Sequence, residues 1–208
     1  ITQVRNLQKE YPHHVKVLNI SGLTHLALKN PIYAEKVLSK AYKESPLTYL
    51  GLNLSSALLE LNKTNQAIKI LKSLIKDKEY ERKERIYHNL GLAYMKKNKH
   101  SQAQKYFEKA LTENPVFYLS SFHLANCYQR RGMTDLAEKE YSRASKFCPT
   151  CYEPIKKLYD LLKKRKKFRD ADQLIRKYVN QKEIQLNDKE QAISLLNKKE
   201  RADKKNFL

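Results

Sequence analysis

Residues 84–117 read ERIYHNLGLAYMKKNKHSQAQKYFEKALTENPVF, with apolar and small residues recurring at intervals of three and four. This periodicity is typical of amphipathic helices, and the short polar segment in the middle divides the stretch into two of them. Pro115 ends the second helix, because proline lacks the backbone N–H that a helix interior needs. The stretch therefore predicts a helix-turn-helix hairpin.

The same pattern returns in the next 34 residues. Its positions in the first copy are Tyr87, Leu90, Gly91, Tyr94, Ala103, Phe107, Ala110 and Pro115, and in the second Ser121, Leu124, Ala125, Tyr128, Ala137, Tyr141, Ala144 and Pro149. Small residues at these positions let two helices approach closely, and the aromatic rings fill the space beside them. A hairpin repeated at this period predicts tetratricopeptide (TPR) repeats.

The register extends in both directions and predicts an all-α fold, a right-handed TPR superhelix (α-solenoid). We expect about five full repeats, plus a partial N-terminal repeat and a C-terminal capping helix. Pro12 precedes Gly22 by the same interval that separates Pro115 from Ala125, so 1–14 is assigned to the second helix of a truncated repeat. The full repeats are assigned to 15–47, 48–83 with an extended linker, 84–117, 118–151 and a degenerate 152–185, followed by a capping helix and polar tail at 186–208.

The chain is strongly basic, with 42 Lys and Arg against 22 Asp and Glu and a formal net charge of +20. Such a charge predicts attraction to polyanions, although solvated lysines on helix faces would give the same composition. No recognisable nucleic-acid module is present, so we do not expect nucleic acid as a partner. A basic cluster in the turn of the last repeat is a candidate contact for anionic lipid or cell-wall polymer, the alternative being a solvated turn. It consists of Lys163, Lys164, Arg165, Lys166 and Lys167.

Catalytic and metal-binding patterns are missing from the sequence. Four glycines leave no glycine-rich phosphate loop, and the six histidines form neither an HExxH pair nor a set with cysteines at zinc spacing. His25 occupies an aromatic core position and is interpreted as a packed residue. We therefore expect neither an enzyme nor a metal, a cofactor or a small-molecule substrate.

Cys148 and Cys151 form a CxxC pair in the turn between two repeats. No strand precedes them, which argues against a thioredoxin-like redox centre. In an oxidising compartment the two thiols could form a disulfide, whereas in the cytosol they would stay reduced. Cys127 is interpreted as a buried packing residue.

The first helices of the repeats carry apolar residues at positions expected to face the inner surface of the array. We predict that they form a partner-binding groove for an amphipathic or extended peptide. The alternative for any one of them is packing against the second helices. The predicted groove residues are Leu23, Leu26, Leu52, Leu59, Leu92, Met95 and Phe122.

Three segments of the array resemble a particular group of TPR proteins. They are KNPIYAEKVLSKA at 29–41, the long linker leading into the next helix at 77–92, and QAQKYFEKAL at 102–111. In these segments the chain resembles the type IV pilus biogenesis and stability lipoproteins, the PilF, PilW and Tgl group of pilotins. It departs from a typical member in its basicity and in its lysine-rich last repeat.

The resemblance implies a lipid-anchored periplasmic protein at the outer membrane that helps the secretin PilQ to localise and to assemble into its multimeric ring. It also implies that a lipobox cysteine and the first helix of the first repeat precede Ile1 in the full gene product. Two other interpretations remain open: a cytoplasmic TPR adaptor in a bacterial regulatory or motility complex, and a scaffold whose basic patch binds a ligand such as nucleic acid or a glycan.

Overall fold

The computed structural model describes residues 2–181 and 183–205, and this part of the chain folds into twelve α-helices without any strand. The all-α fold of TPR hairpins is thus confirmed. The helices are α1 (Thr2–Glu10), α2 (Val15–Ala27), α3 (Pro31–Glu44), α4 (Thr48–Glu60), α5 (Thr64–Leu74), α6 (Lys83–Lys96), α7 (His100–Glu113), α8 (Tyr118–Arg130), α9 (Thr134–Phe147), α10 (Tyr152–Lys164), α11 (Phe168–Val179) and α12 (Leu186–Lys205).

Five hairpins are formed by the pairs α2/α3, α4/α5, α6/α7, α8/α9 and α10/α11. Each lies in one of the ranges assigned to a full repeat, except that α6 begins at Lys83, one residue earlier. Helix α1 precedes the first hairpin, and α12 follows the last. Helix α12 continues to Lys205, through most of the segment expected to be a polar tail, while 206–208 lie outside the described residues.

A residue with positive φ ends the first helix of every hairpin. These residues are Lys29, Asn62, Asn98, Gly132 and Lys166, with φ between 57° and 75°. In the first hairpin the N–H of Lys29 donates to the carbonyl of Leu26 and the N–H of Asn30 to that of His25, at 3.0 and 2.8 Å. This pair of bonds is the Schellman motif, which satisfies carbonyl groups left over at a helix end. The repeated turn reverses the chain after each first helix.

Contacts divide the chain into two compact units, Ile1–Asn114 and Pro115–Leu208. In the first unit the core includes Ala34, Leu38, Leu58 and Ala67. The close-packing positions behave as the repeat pattern predicts: a Cβ added to Gly91 would collide with the ring of Phe107, which is fully buried. A residue larger than glycine at this position would require the ring to move.

The linker between α5 and α6, residues 75–82, is longer than the other inter-hairpin connections. Its Asp77 carboxylate accepts hydrogen bonds from the hydroxyl of Thr48 at the start of α4 and, at 3.0 Å, from the backbone N–H of Glu79. The hydrogen bond from Thr48 is the main reason that the pKa of Asp77 is lowered. The linker is thereby attached to the first helix of its own repeat.

The second unit has a core of its own, in which α12 takes part. Tyr141 and Tyr178 are almost fully buried in it, and Ala192 of α12 is buried against the same cluster. The hydroxyl of Tyr159 on α10 donates to the carbonyl of Leu195 at 3.4 Å. Helix α12 therefore covers apolar surface that the last hairpin would otherwise expose.

Candidate functional site

Amide side chains mark one face of the first helices in the first unit. Nδ2 of Asn53 on α4 donates to Oδ1 of Asn19 on α2 at 2.8 Å, and Nδ2 of Asn89 on α6 donates to the hydroxyl of Ser56 on α4 at 3.3 Å. Residues three or four positions apart lie on the same face of a helix. Leu23 therefore shares the face of Asn19, and Leu92 that of Asn89. We call this surface the first-helix face.

Four of the predicted groove residues are at least partly accessible in this unit. Leu23 is 43% exposed, whereas Leu26, Leu92 and Met95 are half-buried. Leu26 and Leu92 both pack against the core that contains Leu58 and Leu59. The accessible apolar surface therefore consists mainly of the outer parts of side chains that rest on the core.

Leu52 and Leu59 are core residues, so the prediction that they line an open groove is wrong for this structure. They are 4% and 5% exposed, respectively. The two lie seven positions apart, on the same side of α4, and Leu59 packs in a cluster with Ala34 and Leu38 of the preceding hairpin. Ala34 is small and lets the preceding hairpin pack closely around Leu59, which covers it.

Sequence reasoning missed two exposed apolar residues on the first helices. Ile20 on α2 is 50% exposed, and Tyr49 on α4 is 37% exposed. Ile20 follows Asn19 directly, and Tyr49 lies one turn before Asn53. The pair of asparagines 34 positions apart was the signal that could have indicated this surface. Ile20 lies three positions before Leu23, and Tyr49 four positions before Asn53, so each shares a helix face with a residue described above.

Phe122 belongs to the second unit, where it is half-buried and packs against the core. Its ring centroid lies 5.9 Å from that of Tyr141 and 5.1 Å from that of His123. The Tyr141 hydroxyl donates to Oδ1 of Asn126 at 2.6 Å, and burial raises the pKa of Tyr141. Burial also lowers the pKa of His123 to about 4. Continuity of Phe122 with the leucines of the first unit stays a prediction.

Residues of the predicted basic cluster differ in what they contact. Arg165 pairs with Glu138 and, at 2.6 Å, with Asp135, while Nζ of Lys167 lies 2.6 Å from Glu138. Nζ of Lys163 lies 4.8 Å from the ring centroid of Phe168. Lys164 and Lys166 are the two exposed members. Two of the five basic side chains, Arg165 and Lys167, thus form ion pairs with acidic residues of the preceding hairpin.

The structure joins Cys148 and Cys151 by a disulfide, with their Cα atoms 5.3 Å apart. The bond spans the turn between α9 and α10, and the hydroxyl of Tyr178 donates to the carbonyl of Thr150 inside this turn at 3.4 Å. Cys127 is buried and lies outside this bond. The turn is therefore held both by a covalent bond and by a side chain of the following hairpin.

Within residues 2–181 and 183–205, no group of three or more His, Cys, Asp and Glu side chains is placed to hold a metal ion. None of the helices in the described part of the chain combines the length and the apolar character that a membrane span requires. The ring centroid of His25 lies 4.2 Å from that of Tyr33, which fits its interpretation as a packed residue.

Two family models match the chain, both described as tetratricopeptide repeat. They cover residues 49–77 and 84–117, the α4/α5 and α6/α7 hairpins. No curated protein sequence matches the chain significantly. The family assignment therefore rests on the repeats themselves.

Solved structures share the fold at low sequence identity. TTC0263, a thermophilic TPR protein of Thermus thermophilus, is 22% identical with a TM-score of 0.71, over 88% of this chain and 99% of that one. Pseudomonas aeruginosa pilF is 19% identical with a TM-score of 0.68, over 92% and 86%. PilW, titled a widely conserved type IV pilus biogenesis factor, is 14% identical with a TM-score of 0.73, over 92% and 88%.

These likenesses show the fold alone, since 312 solved chains match and identity is low in each of the three. Proteins built of such hairpins act as protein-binding scaffolds. The matched models, the five hairpins and their 34-residue register agree on one assignment. The chain therefore contains tetratricopeptide repeats and has the all-α fold of a TPR array.

Proposed function

We propose that this chain is a non-catalytic pilotin, which binds the outer-membrane secretin PilQ and promotes its localisation and multimerisation in type IV pilus assembly. The observation that carries the proposal is the likeness to the two pilus proteins, pilF and PilW, which extends over nearly the whole chain. The segments at 29–41, 77–92 and 102–111 support it, because they resemble the same group of proteins in sequence.

A periplasmic location with a lipid anchor upstream of Ile1 is part of the proposal. The Cys148–Cys151 disulfide supports it, because such bonds persist in oxidising compartments and are rare in the cytosol. The basic surface would then lie near anionic lipid or cell-wall polymer, to which exposed lysines are attracted. A cytoplasmic adaptor would instead keep the two thiols reduced.

The surface proposed to bind the secretin is the first-helix face. Leu23, Ile20 and Tyr49 expose apolar area there, next to amide groups that could bond a peptide backbone. A scaffold that leaves such side chains accessible has a surface that a partner can cover. An amphipathic or extended segment of the secretin is the proposed occupant.

Deleting the gene in its source bacterium tests the proposal. We expect the secretin monomer to persist while its heat-resistant multimer disappears from immunoblots of outer membranes, and a plasmid copy of the gene should restore the multimer. Fractionation should place the chain in the outer membrane. A normal amount of multimer in the deletion strain, or recovery of the chain in the cytosol, would contradict the proposal and favour the adaptor.

A further inference from the structure

A cavity of about 330 Å³ opens between α9, α10 and α11 in the second unit. Helices α9 and α11 both pack on α10, and the cavity lies above α10 between them. Its floor is apolar and consists of Ile155, Leu158, Leu174 and Tyr178. Three of these are at most 4% exposed, so the floor belongs to the core and is preformed.

The rim of this cavity is basic. Lys146 on α9 and Lys177 on α11 line it and are exposed, and its lining contains no acidic side chain. Neither lysine has an ion pair within the described residues. Arg165 and Lys167 in the same unit are paired with Glu138 instead. Two unpaired cations therefore flank an apolar floor.

The corresponding positions of the preceding repeat carry different residues. Thirty-four positions earlier in the register, Glu108 stands in place of Ser142 and Glu140 in place of Leu174, while Thr112 stands in place of Lys146. Acidic residues at those positions would repel an anionic ligand and make an apolar floor polar. Ser142 on α9 and Leu174 on α11 replace these two acidic residues, and Lys146 on α9 adds a positive charge.

One wall of the cavity is fixed in place. Pro149 lines it and lies inside the turn that the Cys148–Cys151 disulfide closes. Tyr178 of the floor donates its hydroxyl to the carbonyl of Thr150 in the same turn, and burial raises the pKa of Tyr178 to about 12. The hydroxyl thus stays protonated at physiological pH. A site held in this way loses little conformational freedom when a ligand binds.

We propose that this cavity is a second peptide-binding site, which accepts one large apolar side chain flanked by acidic residues. The apolar anchor contacts the floor at Leu158 and Leu174, while Asp or Glu residues on either side pair with Lys146 and Lys177. The charge of the rim selects an acidic segment, and the size of the cavity suits a single anchoring side chain. The proposal rests on the scaffold function but does not require the secretin as the partner.

Fluorescence anisotropy with synthetic peptides tests the site. The probe is a fluorescein-labelled peptide with one phenylalanine between pairs of glutamates, and two comparison peptides replace the phenylalanine by serine or the glutamates by glutamine. We expect the probe to bind and each comparison peptide to bind at least about tenfold more weakly. Equal binding of all three peptides, or no binding of the probe, would overturn the proposal.

Variants of the chain separate this site from the general charge of the protein. Lys146→Glu with Lys177→Glu should weaken binding of the probe at least about tenfold. Lys139→Glu with Arg169→Glu makes the same change of charge at exposed positions outside the cavity and should leave it nearly unchanged. Equal losses in both double variants would show non-specific attraction and refute the site.

Two further results distinguish the site from other interpretations. Leu174→Ser should weaken binding of the probe. It should leave the melting temperature within a few degrees of that of the parent chain, because Leu174 is only half-buried. Dodecanoate binding to the cavity without any binding of the probe would assign it to a lipid and overturn the peptide proposal. Secretin capture by the Lys146→Glu/Lys177→Glu variant reports on the pilotin proposal separately, since that proposal uses the first-helix face.

Discussion

Asn19 and Asn53 occupy positions 34 residues apart and are joined by a hydrogen bond of 2.8 Å from Nδ2 of Asn53 to Oδ1 of Asn19. The bond connects the first helices of two consecutive hairpins. Both side chains are half-buried, so the two amide groups stay partly hydrated when they form this bond. The bond therefore helps to set how α4 stacks on α2, and with it the arrangement of Leu23 and Tyr49 on the first-helix face.

Asn53→Ala should lower the free energy of unfolding by about 1 kcal/mol, the net value of one such hydrogen bond. Urea denaturation measures it. Asn65→Ala is the control, because Asn65 also lies in a helix but its hydrogen bond from Lys97 joins two exposed side chains. We expect a change below about 0.5 kcal/mol for the control. Equal effects of the two changes would contradict a stacking role for Asn53.

Lys29 is the positive-φ residue of the first hairpin, with φ at 57°. A side chain in this left-handed conformation costs about 1 kcal/mol, which glycine avoids. Lys29→Gly should therefore raise the free energy of unfolding by about that amount, as measured by urea denaturation. Lys36→Gly, at an exposed position inside α3, should lower it by about 1 kcal/mol. Destabilisation by both changes would refute this account of the turn.

His123 should make the protein sensitive to acid. Burial lowers its pKa from 6.5 to about 4 in the folded chain, so between these values the unfolded chain binds a proton that the folded chain does not. The free energy of unfolding is therefore at its full value above pH 6.5. It decreases as pH falls toward 4, by up to about 3 kcal/mol.

Urea denaturation between pH 7 and pH 4 measures this effect. His123→Gln should reduce the dependence of stability on pH in this window, whatever its stability at neutral pH. His14→Gln, which removes an exposed histidine, is the control and should keep the dependence of the parent chain. An unchanged pH dependence in His123→Gln would show that another group causes the acid sensitivity.

The basic cluster should divide into two functional pairs. Lys164 and Lys166 are exposed, so Lys164→Gln with Lys166→Gln should weaken binding to phosphatidylglycerol vesicles, by up to about 1 kcal/mol per charge. Arg165→Gln with Lys167→Gln removes the partners of Glu138 and should mainly lower the melting temperature. Vesicle flotation and thermal denaturation measure the two effects. Equal loss of vesicle binding in both double variants would contradict this division.

The arrangement of helices could be predicted from the sequence, because a hairpin needs only local information. Gly91, Phe107 and Ala103 stand at fixed intervals, and those intervals determine which side chains meet between two helices of one hairpin. The turns were also predictable in position, although only one of the five uses glycine at the left-handed residue.

The depth of individual side chains could not be predicted in the same way. Leu52 and Leu59 were expected in a groove because of their positions along α4, but both are buried. The burial of Leu59 depends on the preceding hairpin, since it packs in one cluster with Ala34 and Leu38. The basic cluster shows the same limit, since Arg165 finds its partner Glu138 in the preceding hairpin, 27 positions away. Such contacts depend on side-chain packing between hairpins, which periodicity does not describe.

Binding of the purified chain to the periplasmic region of the secretin is the measurement that tests the central claim most directly. Interferometry should show binding by the parent chain and a loss of at least about tenfold for Leu23→Asp, which places a charge in the first-helix face. Ile32→Asp, at a 72% exposed position on the second helix of the same hairpin, should bind as the parent does. Circular dichroism should show that both variants are folded. Undiminished binding by a folded Leu23→Asp variant, or no binding by the parent chain, would contradict the claim.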